Sequence, residues 1–248
     1  MKAKLPTVDI LGVKVADISA EKAENLILKL VKDKKSAHLV VTVNSEFIML
    51  ALANRHFAHI LASADLALAD GAGVVFSKLI FGGKIHDRIT GVDLIENLCA
   101  KSAKNAIRIG FLGGFGDIAE KVAKRQKTLN PKLNVVFAGP GDPTISYDLK
   151  LKKQILASGR IDILFVAYGM GQQEFWIERF KNKIDVGVFI GVGGAFDYLS
   201  EAKKRAPLFF QKLGLEWFWR LVLEPQRIKR MWVLPLFMIL VFRKKFLK

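Results

Sequence analysis

Cysteine is almost absent from this sequence, since Cys99 is the only one among 248 residues. A single thiol cannot form an internal disulfide, so the sequence gives no sign of an oxidising compartment. The first residues, Met1 to Pro6, lead into polar sequence instead of the apolar segment of a secretory signal. We therefore expect a cytoplasmic protein.

Long apolar runs are also absent. The longest, Met231 to Phe242, has 12 residues and contains Pro235, whereas a helix that crosses a bilayer needs about 20. The composition is nevertheless apolar, with 51% hydrophobic residues and a mean hydropathy of +0.26. These values exclude a disordered chain and indicate that some apolar surface faces something other than water.

Motifs for common cofactors and metals are missing as well. No G-x-x-x-x-G-K-[ST] phosphate loop occurs, and the four histidines have no cysteine or carboxylate partners at metal-site spacing. Gly110 to Gly116 follows a predicted strand but lacks the G-x-G-x-x-G spacing of NAD sites. We expect no metal and no cofactor, and we expect Gly113 and Gly114 to offer backbone N–H groups to a substrate phosphate.

The sequence has a large excess of positive charge. Lysine and arginine number 39 against 23 acidic residues, which gives a net charge of +16. Twelve basic and only two acidic residues follow Ala202. This surplus predicts an anionic partner, which could be nucleic acid, a phosphorylated ligand or an anionic lipid. Because basic residues flank Met231 to Phe242, we favour a helix lying in the interface of an anionic membrane, with a buried core helix as the alternative.

Short apolar runs alternate with helical patterns up to about Gly194, which predicts an α/β fold with a mostly parallel sheet flanked by helices. The predicted strands are His38 to Val43, Leu66 to Ala69, Ile107 to Leu112, Asn134 to Ala138, Ile161 to Ala167 and Val186 to Ile190. The predicted helices are Ala20 to Lys32, Glu46 to Ala62, Val92 to Lys104, Asp117 to Leu129, Tyr147 to Ala157 and Gln172 to Phe180. Val8 to Ile18 predicts a hairpin at a sheet edge.

The sequence changes character near residues 195–205, where basic residues, tryptophan and proline replace the alternation of strands and helices. We predict one domain over residues 1–200 and a basic, aromatic, helical appendage over residues 201–248. Arg220, Arg227 and Arg230 would lie near one face of an unbroken helix, and guanidinium groups suit diphosphate oxygens. A solvated basic face is the alternative.

Polar side chains stand where the predicted strands end, which is where open α/β sheets bind ligands. Asp70 could remove a proton from a hydroxyl group, or it could form a turn or helix N-cap before Gly71. A second glycine cluster, Gly191-Val-Gly-Gly-Ala-Phe-Asp197, could admit a ligand close to the backbone or serve tight packing. The other polar residues at strand ends are Thr42, Asn44 and Gln173.

Several strings occur in order over about residues 40 to 230. They are Val41-Thr-Val-Asn-Ser-Glu-Phe47, Ala64-Asp-Leu-Ala-Leu-Ala-Asp-Gly-Ala-Gly73, Arg88-Ile-Thr-Gly-Val-Asp-Leu94, Tyr168-Gly-Met-Gly-Gln-Gln-Glu-Phe-Trp176, Gly191 to Asp197, Arg205-Ala-Pro207 and Gly214-Leu-Glu-Trp-Phe-Trp-Arg-Leu221, followed by Glu224-Pro225. Together they resemble the WecG/TagA/CpsF glycosyltransferase family.

The resemblance implies a Rossmann-like catalytic core over residues 1–200 and a membrane-targeting appendage over residues 201–248. It implies an inverting, metal-independent glycosyltransferase that needs no cofactor. The donor would be a UDP-linked N-acetylmannosamine-type sugar, and the acceptor would be N-acetylglucosaminyl diphospho-undecaprenol. The protein would work peripherally on the inner face of the cell membrane, in surface polysaccharide or wall teichoic acid synthesis.

Residue roles follow from the resemblance by position. Asp70 matches a general base, and Thr42 and Asn44 match residues beside it. The substrate-binding positions that it implies are Arg88, Gln173, Arg220, Arg227 and Arg230, and the glycine clusters add Gly113, Gly114, Gly191, Gly193 and Asp197. Gln172 stands where the family commonly has lysine, so the donor sugar stays open.

Two other functions stay open from the sequence. The first is a non-catalytic protein that binds a sugar nucleotide or a polyprenyl-diphosphate lipid at the membrane. The second is a nucleic-acid binder, suggested by the net charge. The charge adjoins an apolar segment, which favours lipid, so we expect no nucleic-acid partner. An apolar tail that is exposed without lipid favours self-association, so a homo-oligomer is a further expectation.

Overall fold

The computed structural model describes residues 5–34, 36–84, 86, 88–228 and 232–246. The strands in these ranges are β1 (Thr7–Ile10), β2 (Val13–Ala16), β3 (His38–Val43), β4 (Leu66–Ala69), β5 (Arg108–Gly113), β6 (Asn134–Gly139), β7 (Ile161–Ala167) and β8 (Val186–Gly191). Six of them form one sheet in the order β4-β3-β8-β7-β5-β6, with every neighbouring pair parallel. The predicted α/β fold with a parallel sheet is confirmed.

The strands of the large sheet form where the sequence has continuous aliphatic and β-branched runs. Every residue of β3, β4 and β8 is buried, as expected for strands that are covered on both faces. In this order β6 lies on one side of β5, whereas β7 and then β8 lie on the other side, so the chain changes direction after β6. Ligands bind at the carboxyl ends of strands where the chain changes direction in this way.

The helices cover both faces of this sheet. They are α1 (Ala20–Lys32), α2 (Ser45–Ala53), α3 (Arg55–Ser63), α4 (Ala72–Ile80), α5 (Gly91–Lys104), α6 (Ile118–Leu129), α7 (Asp148–Ala157), α8 (Gln172–Phe180), α9 (Ala195–Leu199), α10 (Leu208–Lys212), α11 (Glu216–Leu223) and α12 (Val233–Phe246). One core cluster contains Phe47, Phe57 and Trp176, and the other contains Ile27 and Phe196. Burial of these apolar side chains on either side of the sheet holds the layers together.

Two helix predictions were wrong. The predicted single helix over Glu46 to Ala62 is two helices, because the Asn54 side chain accepts a hydrogen bond from the Phe57 N–H at 3.0 Å and starts α3. A further helix, α4, was not predicted; it begins after Gly71, which has a φ of +95°. Helix propensity does not predict this start, because the two glycines of Asp70-Gly-Ala-Gly73 have a low helix propensity.

The N-terminal hairpin is confirmed, although it does not join the large sheet. β1 and β2 pair antiparallel in a sheet of their own, and β2 packs beside the edge strand β4. Leu11 and Gly12 form the turn with positive φ values of 53° and 94°, which is the conformation that two-residue hairpin turns require. The hairpin therefore covers one edge of the large sheet.

Residues 233–242 of the C-terminal apolar run lie in α12, which has two different faces. Phe237 and Val241 are fully buried against α2 and α4, as the alternative of a core helix predicted. Trp232 and Ile239 are 73% and 61% exposed, as a helix at a membrane interface requires. Pro235 lies in the first turn, where helix N–H groups lack intrahelical acceptors. Within the described residues, no helix is long and apolar enough to cross a membrane.

Candidate active site

A cleft of about 930 Å³ lies at the carboxyl ends of the parallel strands. Loops after β3, β4, β7 and β8 form its floor and walls, and α11 and the start of α12 form its roof. The cleft is therefore built from both regions that the sequence analysis separated near residue 200. The predicted site residues that line it are Thr42, Asn44, Asp70, Arg88, Gly114, Gln173, Gly193, Asp197 and Arg220.

Two other predicted site residues, Gly113 and Gly191, do not line this cleft. A Cβ atom at Gly113 would lie 2.7 Å from the Ala167 backbone, and one at Gly191 would lie 2.7 Å from Gln173 Nε2. Both positions thus need glycine for close packing, which was the alternative interpretation of the cluster that contains Gly191. The Arg227 side chain and Arg230 lie outside the described residues.

Asp70 follows β4 directly and is held by its backbone, because its N–H donates to the Val43 carbonyl at 2.8 Å. Gly71, not Asp70, is the N-cap of α4, so the interpretation of Asp70 as a helix cap is wrong. Among the described residues, none donates a hydrogen bond to its carboxylate. The side chain therefore remains available to a ligand in the cleft.

The surroundings of Asp70 set its protonation. Burial raises the pKa of Asp70 to about 6, the charge of Arg88 opposes this rise, and Glu216 and Asp93 add to it. Arg220 opposes the rise as well. A carboxyl group with this pKa is mostly ionised at pH 7 and still close enough to neutrality to accept a proton. The group is therefore suited to act as a general base.

Thr42 and Asn44 shape the cleft beside Asp70 through bonds to the backbone. The Thr42 hydroxyl donates to the Gly191 carbonyl at 3.0 Å and ties β3 to β8. The Asn44 side chain accepts from the Phe47 N–H at 3.1 Å and is the N-cap of α2. Both side chains have structural bonds at the cleft wall.

Gln173 and Glu174 form a buried polar network at the cleft floor. The Gly193 N–H donates to Gln173 Oε1 at 3.0 Å, and Gln173 Nε2 donates to Glu174 Oε1 at 2.7 Å. The Gly171 N–H donates to the other Glu174 oxygen at 2.8 Å. Glu174 was not among the predicted site residues, although its place in the first turn of α8 after Gly171 is a capping signal.

A network of arginines and carboxylates crosses the opposite side of the cleft. Arg88 forms an ion pair with Glu216, and Arg205 reaches Glu216 at 3.2 Å and Asp93 at 2.9 Å. Thr90 donates to Asp93 at 2.7 Å. Arg205, Asp93 and Glu216 stand in the strings that resemble the family, but they were not predicted as site residues, because ion pairs between distant residues leave no local sequence signal.

Arg220 is a cation that the cleft leaves open to a ligand. Its guanidinium stands over the Tyr198 ring at 5.4 Å, and its Nε atom has no hydrogen-bond partner among the residues that the structure describes. Asp197, by contrast, pairs with Lys203 at 3.1 Å. A half-buried guanidinium that lines the cleft suits phosphate oxygens. Across the described ranges, no group of three or more His, Cys, Asp or Glu residues could hold a metal ion.

Comparison with known proteins places the chain in a family. The sequence model of the glycosyl transferase WecG/TagA/CpsF family matches residues 8–248. A Bacillus subtilis (strain 168) protein named N-acetylglucosaminyldiphosphoundecaprenol N-acetyl-beta-D-mannosaminyltransferase is 33% identical over 213 residues, which cover 86% of this chain and 82% of the relative. A Staphylococcus aureus (strain NCTC 8325) protein of the same name is 28% identical over 243 residues, which cover 96% and 93%. The chain therefore belongs to the WecG/TagA/CpsF family of glycosyl transferases.

Proposed function

We propose that this protein transfers an N-acetylmannosamine-type sugar from a UDP donor to N-acetylglucosaminyl diphospho-undecaprenol, in surface polysaccharide or wall teichoic acid synthesis. The observation that carries the proposal is the Asp70 carboxylate, which faces a large cleft beside Arg88 and Arg220 without a hydrogen bond from any described residue. The names of the relatives support the sugar and the acceptor.

The proposed reaction is a direct displacement at the anomeric carbon. Asp70 takes the proton from the acceptor hydroxyl, and the hydroxyl oxygen forms a bond to the anomeric carbon. The bond between that carbon and the donor diphosphate breaks, and UDP leaves with the electron pair. Attack from the face opposite the leaving group inverts the anomeric configuration.

Arginines supply the positive charge that the departing diphosphate needs. Arg88 and Arg220 line the same cleft as Asp70, and guanidinium groups bind phosphate oxygens through two parallel hydrogen bonds. We include metal independence in the proposal. Chelation of divalent cations with EDTA is expected to leave the rate of sugar transfer unchanged.

The proposal also places the protein peripherally on the inner face of the cell membrane. Residues 201–248 carry exposed apolar side chains next to basic ones, which is the pattern of interfacial membrane anchors. The strongly exposed apolar residues are Leu208, Phe209, Trp232, Ile239 and Phe246. The basic residues of the last turn of α12 are Arg243, Lys244 and Lys245. We propose that residues 1–200 are the catalytic domain, which holds Asp70, and that residues 201–248 are the appendage, which completes the cleft with Arg220 and brings the domain to its lipid acceptor.

The test is release of UDP from a panel of UDP-sugars, with and without a short-chain N-acetylglucosaminyl diphospho-lipid. We expect release that depends on the acceptor with UDP-N-acetylmannosamine. Asp70→Asn is expected to lower kcat at least about 100-fold, because a general base contributes that much. The matched control is Asp185→Asn, since Asp185 precedes β8 at the opposite end of the sheet and pairs with Arg160.

Two results would contradict the proposal. One is full activity in a folded Asp70→Asn variant, which would remove Asp70 from the reaction. The other is the absence of release with every donor from wild-type protein that is folded and bound to lipid. That second result would favour a non-catalytic protein that binds the sugar nucleotide or the diphosphate lipid.

A further inference from the structure

Glu216 joins two arginines that reach it from different parts of the chain. One carboxylate oxygen pairs with Arg88, which lies in the loop before α5, and the other accepts from Arg205 Nε at 3.2 Å. Arg205 continues the connection to Asp93 on α5 at 2.9 Å. A single side chain at the start of α11 thus links the roof of the cleft to its wall.

These charges are largely withdrawn from water. The side chains of Arg88, Glu216 and Arg205 are 17%, 19% and 23% exposed. Removing one partner from such a network leaves the remaining charge poorly solvated and free to reorient. Without Glu216, Arg205 would keep Asp93, but Arg88 would lose the one ion-pair partner that the described residues give it.

The same helix is in close contact with the strand end that carries Asp70. Gly214 precedes α11 with a φ of +70°, and a Cβ atom there would lie 2.7 Å from Ala72 Cβ. Ala72 is the first residue of α4, two positions after Asp70. The start of α11 is therefore packed beside the proposed base, and the helix also brings Arg220 to the cleft.

We propose that Glu216 is a positioning residue, which holds the guanidinium of Arg88 beside Asp70 and fixes α11, with Arg220, as the roof of the cleft. This inference rests on the proposed function. Glu216 acts through the two arginines and need not touch the substrate. Its negative charge near Asp70 is a second contribution, because that charge favours the protonated form of Asp70.

The experiment compares full-length Glu216→Gln, Glu216→Asp and wild-type protein with the lipid acceptor. Glutamine keeps the size of the side chain but cannot neutralise two arginines. We expect kcat to fall about tenfold, since charge stabilisation in the transition state depends on placed donors, while KM for the donor stays within about threefold. We also expect the acid limb of the pH dependence of kcat/KM to move to lower pH, because the charge of Glu216 raises the pKa of Asp70.

Glu216→Asp distinguishes the effect of the carboxylate charge from the effect of side-chain length. Aspartate retains the charge, so the acid limb is expected to stay in place. The aspartate side chain is too short to span both arginines. The kcat of Glu216→Asp is therefore expected to lie between that of wild type and that of Glu216→Gln. The matched control is Glu201→Gln, because Glu201 is an exposed glutamate of the same segment that pairs with Arg125. Glu201→Gln is expected to match wild type in every measurement.

Hydrogen exchange tests the same inference without turnover. Amides of α11 are expected to exchange about tenfold faster in Glu216→Gln than in wild type or Glu201→Gln, because local opening becomes easier. Wild-type kcat and an unmoved acid limb in folded Glu216→Gln would overturn the inference. If that variant does not fold, wild-type kcat and α11 exchange in Glu216→Asp would overturn it. If wild-type protein transfers no sugar, the proposed function fails, and the α11 exchange alone decides the role of Glu216.

Discussion

Asp70 lines the cleft, whereas Glu174 is fully buried next to Gln173, so the two carboxyl groups have different surroundings. Burial raises the pKa of Asp70 to about 6 and that of Glu174 to about 7. Gln173 and Gly171 donate hydrogen bonds to Glu174 and oppose the rise of its pKa, whereas Asp70 faces open space in the cleft. Asp70 can therefore exchange a proton with a ligand, and Glu174 instead holds the cleft floor together.

The protonation of Asp70 predicts an acid limit to activity. A base must be ionised to accept a proton, and the pKa of Asp70 is raised to about 6. We expect kcat/KM to fall as the pH drops through about 6, and this limb is expected to be absent from the residual activity of Asp70→Asn. The measurement is kcat/KM between about pH 5 and pH 8. A kcat/KM that stays constant down to about pH 5 would contradict the buried environment of Asp70, because the limb would then lie near the ordinary aspartate pKa of about 4.

The protonation of Glu174 predicts a dependence of stability on pH. Because burial raises its pKa from 4.5 to about 7, the folded protein binds more protons than the unfolded chain between these values. The contribution of Glu174 to the free energy of unfolding is therefore expected to fall as pH rises through this window, by roughly 3 kcal/mol in total. Chemical denaturation at several pH values gives the slope of the free energy of unfolding against pH. The contribution of Glu174 is the difference between the slopes of wild type and Glu174→Gln.

Other carboxylates change stability in the opposite direction, so the comparison needs a control. The pKa of Asp93 is lowered, since bonds from Arg205 and Thr90 outweigh the burial that would raise it. Glu120→Gln replaces an exposed glutamate of α6 and is expected to keep the wild-type slope. A Glu174→Gln slope equal to that of wild type would show that Glu174 is ionised in the folded protein throughout this range.

At the scale of elements, α12 connects the core to the outer surface. Its buried face meets α2 and α4, close to the glycines that follow Asp70, because Phe237 would lie 3.6 Å from a Cβ atom at Gly73. Its opposite face exposes Leu236 and Ile239. A helix with this distribution of apolar residues is bound to the protein on one side and available to a lipid surface on the other.

The docking of α12 predicts that substitutions on its two faces change the free energy of unfolding by very different amounts. Phe237→Ala removes a fully buried ring and is expected to lower the free energy of unfolding by about 3 kcal/mol or more, through lost burial and a cavity. Ile239→Ala is the matched control, because Ile239 is 61% exposed, and it is expected to cost less than about 1 kcal/mol. Equal effects in denaturant titrations would show that α12 is not docked on the core in solution.

At the scale of the whole molecule, the sequence predicted most of the sheet because its strands are continuous apolar runs. Three strands, including Ile161–Ala167, have the predicted bounds, and the other three differ by one residue at one or both ends. The start of α4 was missed because Gly71 and Gly73 have low helix propensity. The break at Asn54 was missed because a capping side chain resembles any other polar residue within a helical pattern.

The candidate site could be predicted only in part from the sequence, because some of its contacts depend on the tertiary structure. Asp70, Arg88 and Arg220 line one cleft as the family resemblance implied, and Asp70 could be singled out from its place at a strand end. The Glu216 pairs with Arg88 and Arg205 could not be predicted, since they depend on how α11 folds back over the core. The buried bond between Gln173 and Glu174 likewise needs the tertiary structure, because neighbouring residues on a helix do not ordinarily face each other.

The distribution of charge over the molecule predicts binding to anionic membranes through the C-terminal end of α12. Arg243 and Lys245 are exposed in its last turn, and each basic residue near an anionic surface contributes about 1 kcal/mol. Arg243→Gln with Lys245→Gln is therefore expected to weaken binding to vesicles containing anionic phospholipid at least about tenfold, as measured by flotation at low salt. The control is Lys124→Gln with Lys127→Gln on α6, which packs on the other face of the sheet from α12. If the control pair weakens binding as much, the attraction follows net charge alone and α12 is not the part that faces the membrane.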